Sequence, residues 1–168
     1  MLIECNVDAH LPLIKDDPVR PDLFEDDACR FQGPFRVYAE ADEVTGDIQA
    51  VVCVLLTAFV PSEEEDIRMI QSGDFFLETE EGESVFNLEP TVACPYSIWS
   101  YKKGAGSELI RSLLEAISIM HPSIDAVVTM SPKTDSALKF HMKNGAEMFD
   151  VNSDTINYAY DVPRAVLH

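Results

Sequence analysis

Lys102-Lys103-Gly104-Ala105-Gly106-Ser107 is the stretch of clearest chemical content, with two cations and two glycines following the apolar segment Tyr96-Ser97-Ile98-Trp99-Ser100-Tyr101. Glycines let the backbone turn tightly. The first turn of a helix presents N–H groups that lack an intrahelical partner, together with the positive end of its dipole. A strand, a glycine turn and a helix N-terminus in this order make a cradle for a pyrophosphate. The loop therefore points to a phosphorylated cofactor held largely by backbone.

The elements around the loop follow from periodicity. Leu109, Ile110, Leu113, Leu114, Ile117 and Met120 recur at helical spacing after Gly106, and His121-Pro122 ends the helix. Thr91 to Tyr101 reads as the preceding strand, with Pro95 implying a bulge or a locally unpaired position. Asp125 to Met130 reads as the next strand, and a second helix spans Asp135 to Asn144 before Gly145. The crossover rule makes the two strands parallel and adjacent. Upstream, Phe35 to Ala41 alternates in polarity, Glu43 to Asp47 reads as a turn, and Ile48 to Val60 is a long apolar run, so a hairpin is expected. Pro61 to Asp66 starts a short helix ending near Gly73. Glu147 to Val151 and Ile156 to Val162 read as closing strands. Residues 1–34 carry Pro12, Pro18, Pro21 and Pro34 and read as an irregular arm with one short strand or helix.

A chain of 168 residues with 46% apolar content fits one domain over 1–168. Its four cysteines lie far apart without a C-x-x-C pair, so neither a disulfide framework nor a metal site is expected. No signal-peptide pattern opens the chain and no run of about 18 apolar residues occurs, which predicts a cytoplasmic protein. A net charge of −18 disfavours nucleic acid and anionic membranes as partners. The charge is uneven: residues 61–90, read as an acidic insertion, hold ten acids and one base, whereas residues 101–145 hold six bases and four acids.

Tyr101-Lys102-Lys103-Gly104-Ala105-Gly106 resembles the acetyl-CoA loop, Gln/Arg-x-x-Gly-x-Gly/Ala, of the GCN5-related N-acetyltransferase (GNAT) superfamily, with Tyr101 departing at the first position. Val127-Val128-Thr129 followed by Thr134 to Ala146 is similar to that family's fifth strand and fourth helix, with Thr134 at its Asn position and His141 at its Tyr position. The resemblance covers roughly residues 35 to 162 and implies a mixed α/β (α+β) fold, its sheet mostly antiparallel with a splayed parallel central pair. Tyr96-Ser97-Ile98, the following helix, His121-Pro122 and Met130-Ser131-Pro132 also resemble the acyltransferase-like domain of malonyl-CoA decarboxylase.

The resemblance implies acyl transfer from acetyl-CoA, or another acyl-CoA, to an amine of a small molecule or peptide. The acidic surface leans towards a cationic acceptor, and dimerisation through the closing strands is a further implication. Backbone N–H groups of residues 102–107 would hold the pyrophosphate, aided by Lys102, Lys103 and Arg111. The strand from Cys94 to Ser100, with Ser97, Ile98 and Trp99, would pair with the pantetheine arm, and Ile98 or Trp99 would offer an N–H to the thioester oxygen; Trp99 also reads as a core residue. His141 would protonate the leaving thiolate or serve the structure, with Tyr96 and Tyr101 as other acids. A base would act through water from an acid such as Glu89 or Asp74. Under the decarboxylase resemblance Ser131 would bind or orient a substrate carboxylate; the simpler reading, adopted here, makes Ser131-Pro132 the cap that initiates the second helix. A third possibility is a CoA-binding module without turnover.

Overall fold

A computed structural model describes residues 1–73 and 89–163. The hairpin pairs β2 (Phe35–Ala41) with β3 (Ile48–Thr57) in antiparallel register. Asp42 closes its turn by accepting hydrogen bonds from the Val44 and Thr45 N–H groups at 2.8 and 2.9 Å. β4 (Val92–Ser100) lies antiparallel to β3 on its other side. Proline has no N–H for the ladder. Cys53 pairs with Ser97 and Val54 with Pro95, which leaves Tyr96 as the extra residue of a bulge.

α3 (Ala105–Met120) follows the glycine loop and buries Leu109, Ile110, Leu113 and Ile117 against β2, β3 and β4. Each such side chain contributes roughly 1.5–3 kcal/mol on burial. The helix starts at Ala105, so Gly106 sits inside its first turn, and it ends where the His121 N–H bonds to the Ile117 carbonyl ahead of Pro122. β5 (Ala126–Val128) runs parallel to β4. α4 (Asp135–Lys143), β7 (Glu147–Val151) and β8 (Thr155–Asp161) complete the order. The sheet has eight strands, counting β1 (Leu2–Glu4) and the two-residue β6 (Ser131–Pro132), in the path β1-β2-β3-β4-β5-β8-β6 with β7 also on β8. Every pair is antiparallel except β4 with β5.

Two expectations are corrected. Ser131-Pro132 does not begin α4: it bridges to Ile156 and Thr155 of β8, and Thr134 is the cap, its Oγ1 accepting from the Ala137 N–H at 3.2 Å. Residues 1–34 also hold more structure than one element. β1 adds an edge strand to β2, α1 (Val7–His10) is capped by Asn6, and 3₁₀ turns occupy Leu11–Asp16 and Asp27–Phe31. The prolines rule out a long helix yet are compatible with short turns. The arm thereby places Ile14, Leu23 and Phe24 on the sheet face opposite α3, beside Ile67 and Ile70 of α2 (Glu64–Ser72). α2 ends at Gly73 in a left-handed conformation, as expected, and the rest of the acidic insertion falls on residues 74–88, outside the described residues. No helix among the described residues is long and apolar enough to cross a membrane.

The arm is fastened by an ion pair. Arg30 Nη1 lies 2.8 Å from Asp17 Oδ2, with side-chain exposures of 1% and 0%. Removing one partner of such a pair strands a buried charge, at a cost of about 3–5 kcal/mol. Asp17→Ala is therefore expected to lower the urea midpoint sharply, and Asp17→Ala with Arg30→Met to restore much of it. A midpoint unmoved by Asp17→Ala would show that the arm does not depend on this pair.

Candidate active site

The turn entering α3 is built for an anion. Gly104 has φ 86°, a left-handed value that side chains with a Cβ rarely adopt. Ala105 N–H is spent on the Lys102 carbonyl and Glu108 N–H on that of Gly104, while the N–H groups of Lys103, Gly104, Gly106 and Ser107 have no hydrogen-bond partner among the described residues. Lys102, Lys103 and Arg111 are exposed around them. Gly106 has a second role: a Cβ there would stand 3.4 Å from Phe140 Cε2, so its absence lets α4 close on α3. An extended phosphate chain finds donors, cations and room here.

A cleft of about 190 Å³ lies between β4 on one side and β6 and α4 on the other, past the point where β4 and β5 pair. The two strands pair only at Val92 with Ala126 and Ala93 with Val127. Met130 N–H to the Pro95 carbonyl, at 2.9 Å, is the last link. Past it, the edge of β4 that faces β5 has no strand partner among the described residues. Tyr96, Ser97 and Ile98 line one wall, and Ser131, Pro132, Thr134, Ala137, Phe140 and His141 the other. Ser97 Oγ is buried in this wall without a hydrogen-bond partner. A free strand edge suits an amide-bearing arm such as pantetheine.

The floor of the cleft carries a chain of neutral hydroxyls about one imidazole. His141 Nδ1 lies 2.7 Å from Tyr160 Oη and Nε2 2.9 Å from Ser131 Oγ, which is 2.9 Å from Thr129 Oγ1. Thr129 Oγ1 accepts from the Tyr158 N–H at 3.1 Å, and the Tyr158 ring stacks on His141 with centroids 4.7 Å apart. His141 is 4% exposed, and burial pushes its pKa down to about 4. The imidazole is neutral at physiological pH. Two tautomers satisfy the chain. With the proton on Nε2, His141 and Thr129 both donate to Ser131 Oγ, and the Ser131 O–H is left to point into the cleft. With the proton on Nδ1, Ser131 donates to Nε2 and no proton faces the cleft.

The remaining residues singled out from sequence divide plainly. Thr134 lines the cleft and caps α4, and Ala105 is buried in the first turn of α3. Trp99 packs into the core on the arm side, and its Nε1–H donates to Tyr101 Oη at 3.1 Å. Tyr101 in turn donates to Asp16 at 2.6 Å, so the residue that departs from the family pattern ties the arm to β4. Tyr96 is separate from the His141 chain. Its ring packs edge-on to Phe35 beneath the Arg30 guanidinium, and burial raises its phenol pKa well above the ordinary value. Glu89 is exposed ahead of β4, and Asp74 lies outside the described residues. Thr129 and Tyr160 escaped sequence reading. The signal for Tyr160 was its place two residues after Tyr158 in a strand, which puts both rings on one face.

No protein-family model matches the sequence, and no curated protein matches it. Solved structures do. Malonyl-CoA decarboxylase from Agrobacterium vitis is similar with a TM-score of 0.61 and 22% identity, over 91% of this chain and 38% of that one. Aminoglycoside acetyltransferase AAC(6')-Ib, in complex with coenzyme A and kanamycin, gives 0.61 and 15%, over 96% and 94%. The GNAT domain of S. lividans PAT gives 0.59 and 12%, over 95% and 89%. The chain therefore has the GNAT fold, and it spans well under half the length of the decarboxylase it matches.

A depressed histidine pKa has a definite sign for stability. The unfolded chain takes up the proton near pH 6.5, whereas the native state resists it to about 4. The contribution is thus complete above pH 6.5 and is lost as pH falls towards 4, the loss reaching on the order of 3 kcal/mol there. His141→Gln should lessen the acid sensitivity of the urea midpoint between pH 7 and 4.5. Parallel midpoint curves for the two proteins would place His141 in a solvated setting instead.

Proposed function

We propose that this domain binds an acyl-CoA with its pyrophosphate at residues 102–107, its pantetheine along β4, and its acyl group over Ser131 and His141. The free N–H groups at the start of α3, the unpaired β4 edge and the fold shared with coenzyme A-binding AAC(6')-Ib support the binding mode. The observation that carries the chemistry is the buried, neutral Ser131–His141 pair, set in a cleft whose described lining contains no carboxylate.

Decarboxylation of a malonyl-type thioester suits that pair best. The bond from the α-carbon to the carboxylate breaks, CO₂ leaves, and the electron pair moves into the thioester as an enolate. The enolate oxygen needs donors, which the Ile98 or Trp99 N–H would supply, and the α-carbon needs one proton. Ser131 O–H, supported by His141 Nε2–H and by Tyr160 Oη donating to Nδ1, is placed to give it, with solvent restoring it through the same chain. A neutral and largely apolar cleft also stabilises a carboxylate poorly and CO₂ well. The likeness to malonyl-CoA decarboxylase agrees with this reading.

Acyl transfer to an amine is the second reading, favoured by the fold shared with AAC(6')-Ib and the PAT domain along most of their lengths. It requires a base for the ammonium acceptor, and a histidine with a pKa of about 4 is a weak one. The acidic surface would draw a cationic acceptor.

Incubation with malonyl-CoA alone, then with acetyl-CoA and an amine library, separates the readings. Release of CO₂ and acetyl-CoA without acceptor is expected. Amine acetylation without CO₂ would reverse the order, and tight CoA binding without either would leave a binding module. His141→Ala should lower turnover by about 10²–10⁴-fold, the usual scale of acid–base catalysis, with CoA affinity little changed. Gly104→Val should instead weaken CoA binding measured by calorimetry, because the left-handed turn is lost; unchanged binding would remove residues 102–107 from the site.

A further inference from the structure

Each hydroxyl around His141 has few places to send its proton, and counting them leaves one arrangement. Tyr160 Oη lies 2.7 Å from His141 Nδ1 and has no other partner among the described residues. Burial raises the phenol pKa above its ordinary value, so the proton is present and Nδ1 is its acceptor. Thr129 is pinned from the other end. Its Oγ1 already accepts from the Tyr158 N–H at 3.1 Å, and among the described residues its own proton has only Ser131 Oγ, 2.9 Å away, to go to. Both residues are buried, and a buried donor left unmet bears the full cost of its desolvation.

The two constraints meet at Ser131. With Tyr160 donating to Nδ1, His141 carries its proton on Nε2 and donates it to Ser131 Oγ at 2.9 Å, and Thr129 donates to the same oxygen. A hydroxyl oxygen has two lone pairs, and here both are taken. The alternatives each strand a buried donor: a proton on Nδ1 leaves the Tyr160 O–H without an acceptor, and a Ser131 proton sent to Thr129 leaves the Thr129 O–H without one. In a serine nucleophile the ring nitrogen beside the hydroxyl is bare and takes the hydroxyl proton as the oxygen attacks. At Ser131 that nitrogen is already protonated.

We infer that Tyr160 and Thr129 are positioning residues that hold Ser131 as a proton donor to the cleft and bar it from acting as a nucleophile, so that no acyl group passes to the protein. This rests on the acyl-CoA binding mode proposed above and holds for either fate of the acyl group. In decarboxylation the Ser131 O–H bond breaks as the new C–H bond forms at the α-carbon. In acyl transfer the departing thiolate takes that proton, and the acceptor nitrogen releases its own to solvent. Either way the Ser131 alkoxide is left between two donors that stabilise its charge until solvent returns a proton.

Nitrogen NMR of the full chain labelled at histidine, without any thioester, reads the tautomer directly. The unaltered protein should carry the His141 proton on Nε2, with Nδ1 bare and its resonance displaced by the Tyr160 hydrogen bond; a proton on Nδ1 overturns the inference. Tyr160→Phe should abolish that displacement and lower kcat about 2- to 12-fold at unchanged KM, the scale of one neutral hydrogen bond. An Nδ1 resonance that does not move also overturns it. Thr129→Val should lower kcat to a similar extent and Thr129→Ser should keep it, whereas equal turnover in the two removes Thr129 from the arrangement and overturns the inference. Should the variants not fold, the unaltered protein still decides: intact mass after mixing with acetyl-CoA or malonyl-CoA should show no acyl group on Ser131, and an acyl adduct there overturns the inference. Failure to bind CoA, with the proton found on Nε2, would defeat the acyl-CoA reading alone.

Discussion

Pro95 has no N–H to give, and the sheet is organised around that deficit. The β3–β4 ladder slips by one residue there, Tyr96 bulges out, and the Pro95 carbonyl becomes the last point at which β4 holds β5, through Met130 N–H. Parallel strands joined by a helix stay paired when every rung is available. Here the rungs stop, and the strands part at the level where Ser131 and His141 stand. The missing donor in β4 and the opening of the cleft fall at the same level of the sheet. The bulged carbonyl, released from the ladder, is then taken by Arg20 rather than left unpaired.

Burial on the two sides of the splay is handled differently. On the α3 side the polar groups are neutral: hydroxyls of Thr129, Ser131 and Tyr160 close around an imidazole kept uncharged by desolvation. On the arm side they are ionic, with Asp17 and Arg30 fully inside and Arg20 beside them. A neutral network can be buried at low cost once its hydrogen bonds are met. An ionic one needs near-complete pairing. The arm therefore does more than cover the sheet, since it carries the charge that the bulged carbonyl of β4 meets.

Much of this architecture is written in local pattern. Leu109, Ile110, Leu113 and Ile117 announce α3, Gly104 and Gly145 mark turns with positive φ, and Pro95 signals its bulge because the missing N–H is a property of the residue itself. What stayed hidden depends on contacts far apart in sequence. Ser131-Pro132 has the composition of a helix cap, and only pairing with Ile156 and Thr155 makes it a strand. Tyr101 reads as a substitution in a cofactor motif until Asp16, 85 residues away, accepts its hydrogen bond. Prolines in the arm conceal short turns, because their stability comes from the sheet beneath them and not from helical propensity. The Arg20–Tyr96 contact spans 76 residues and has no local signature at all.

The charge distribution gains a physical sense from this geometry. A protein of net charge −18 repels a polyanion such as CoA at long range, and screening confines that repulsion to within about 8–10 Å of the surface at physiological salt. What decides binding is therefore the charge met at contact. Lys102, Lys103 and Arg111 surround the free N–H groups at the start of α3, and the described lining of the cleft holds no carboxylate, whereas the adjoining cavity holds Glu63, Glu64, Glu65 and Asp154. Cations about the loop, a neutral cleft beside it and acids beyond divide the surface by sign, so the phosphates and the uncharged amide arm proposed to lie along α3 and β4 meet no carboxylate in the described lining of the cleft, while the acids of the adjoining cavity are left to face a cation.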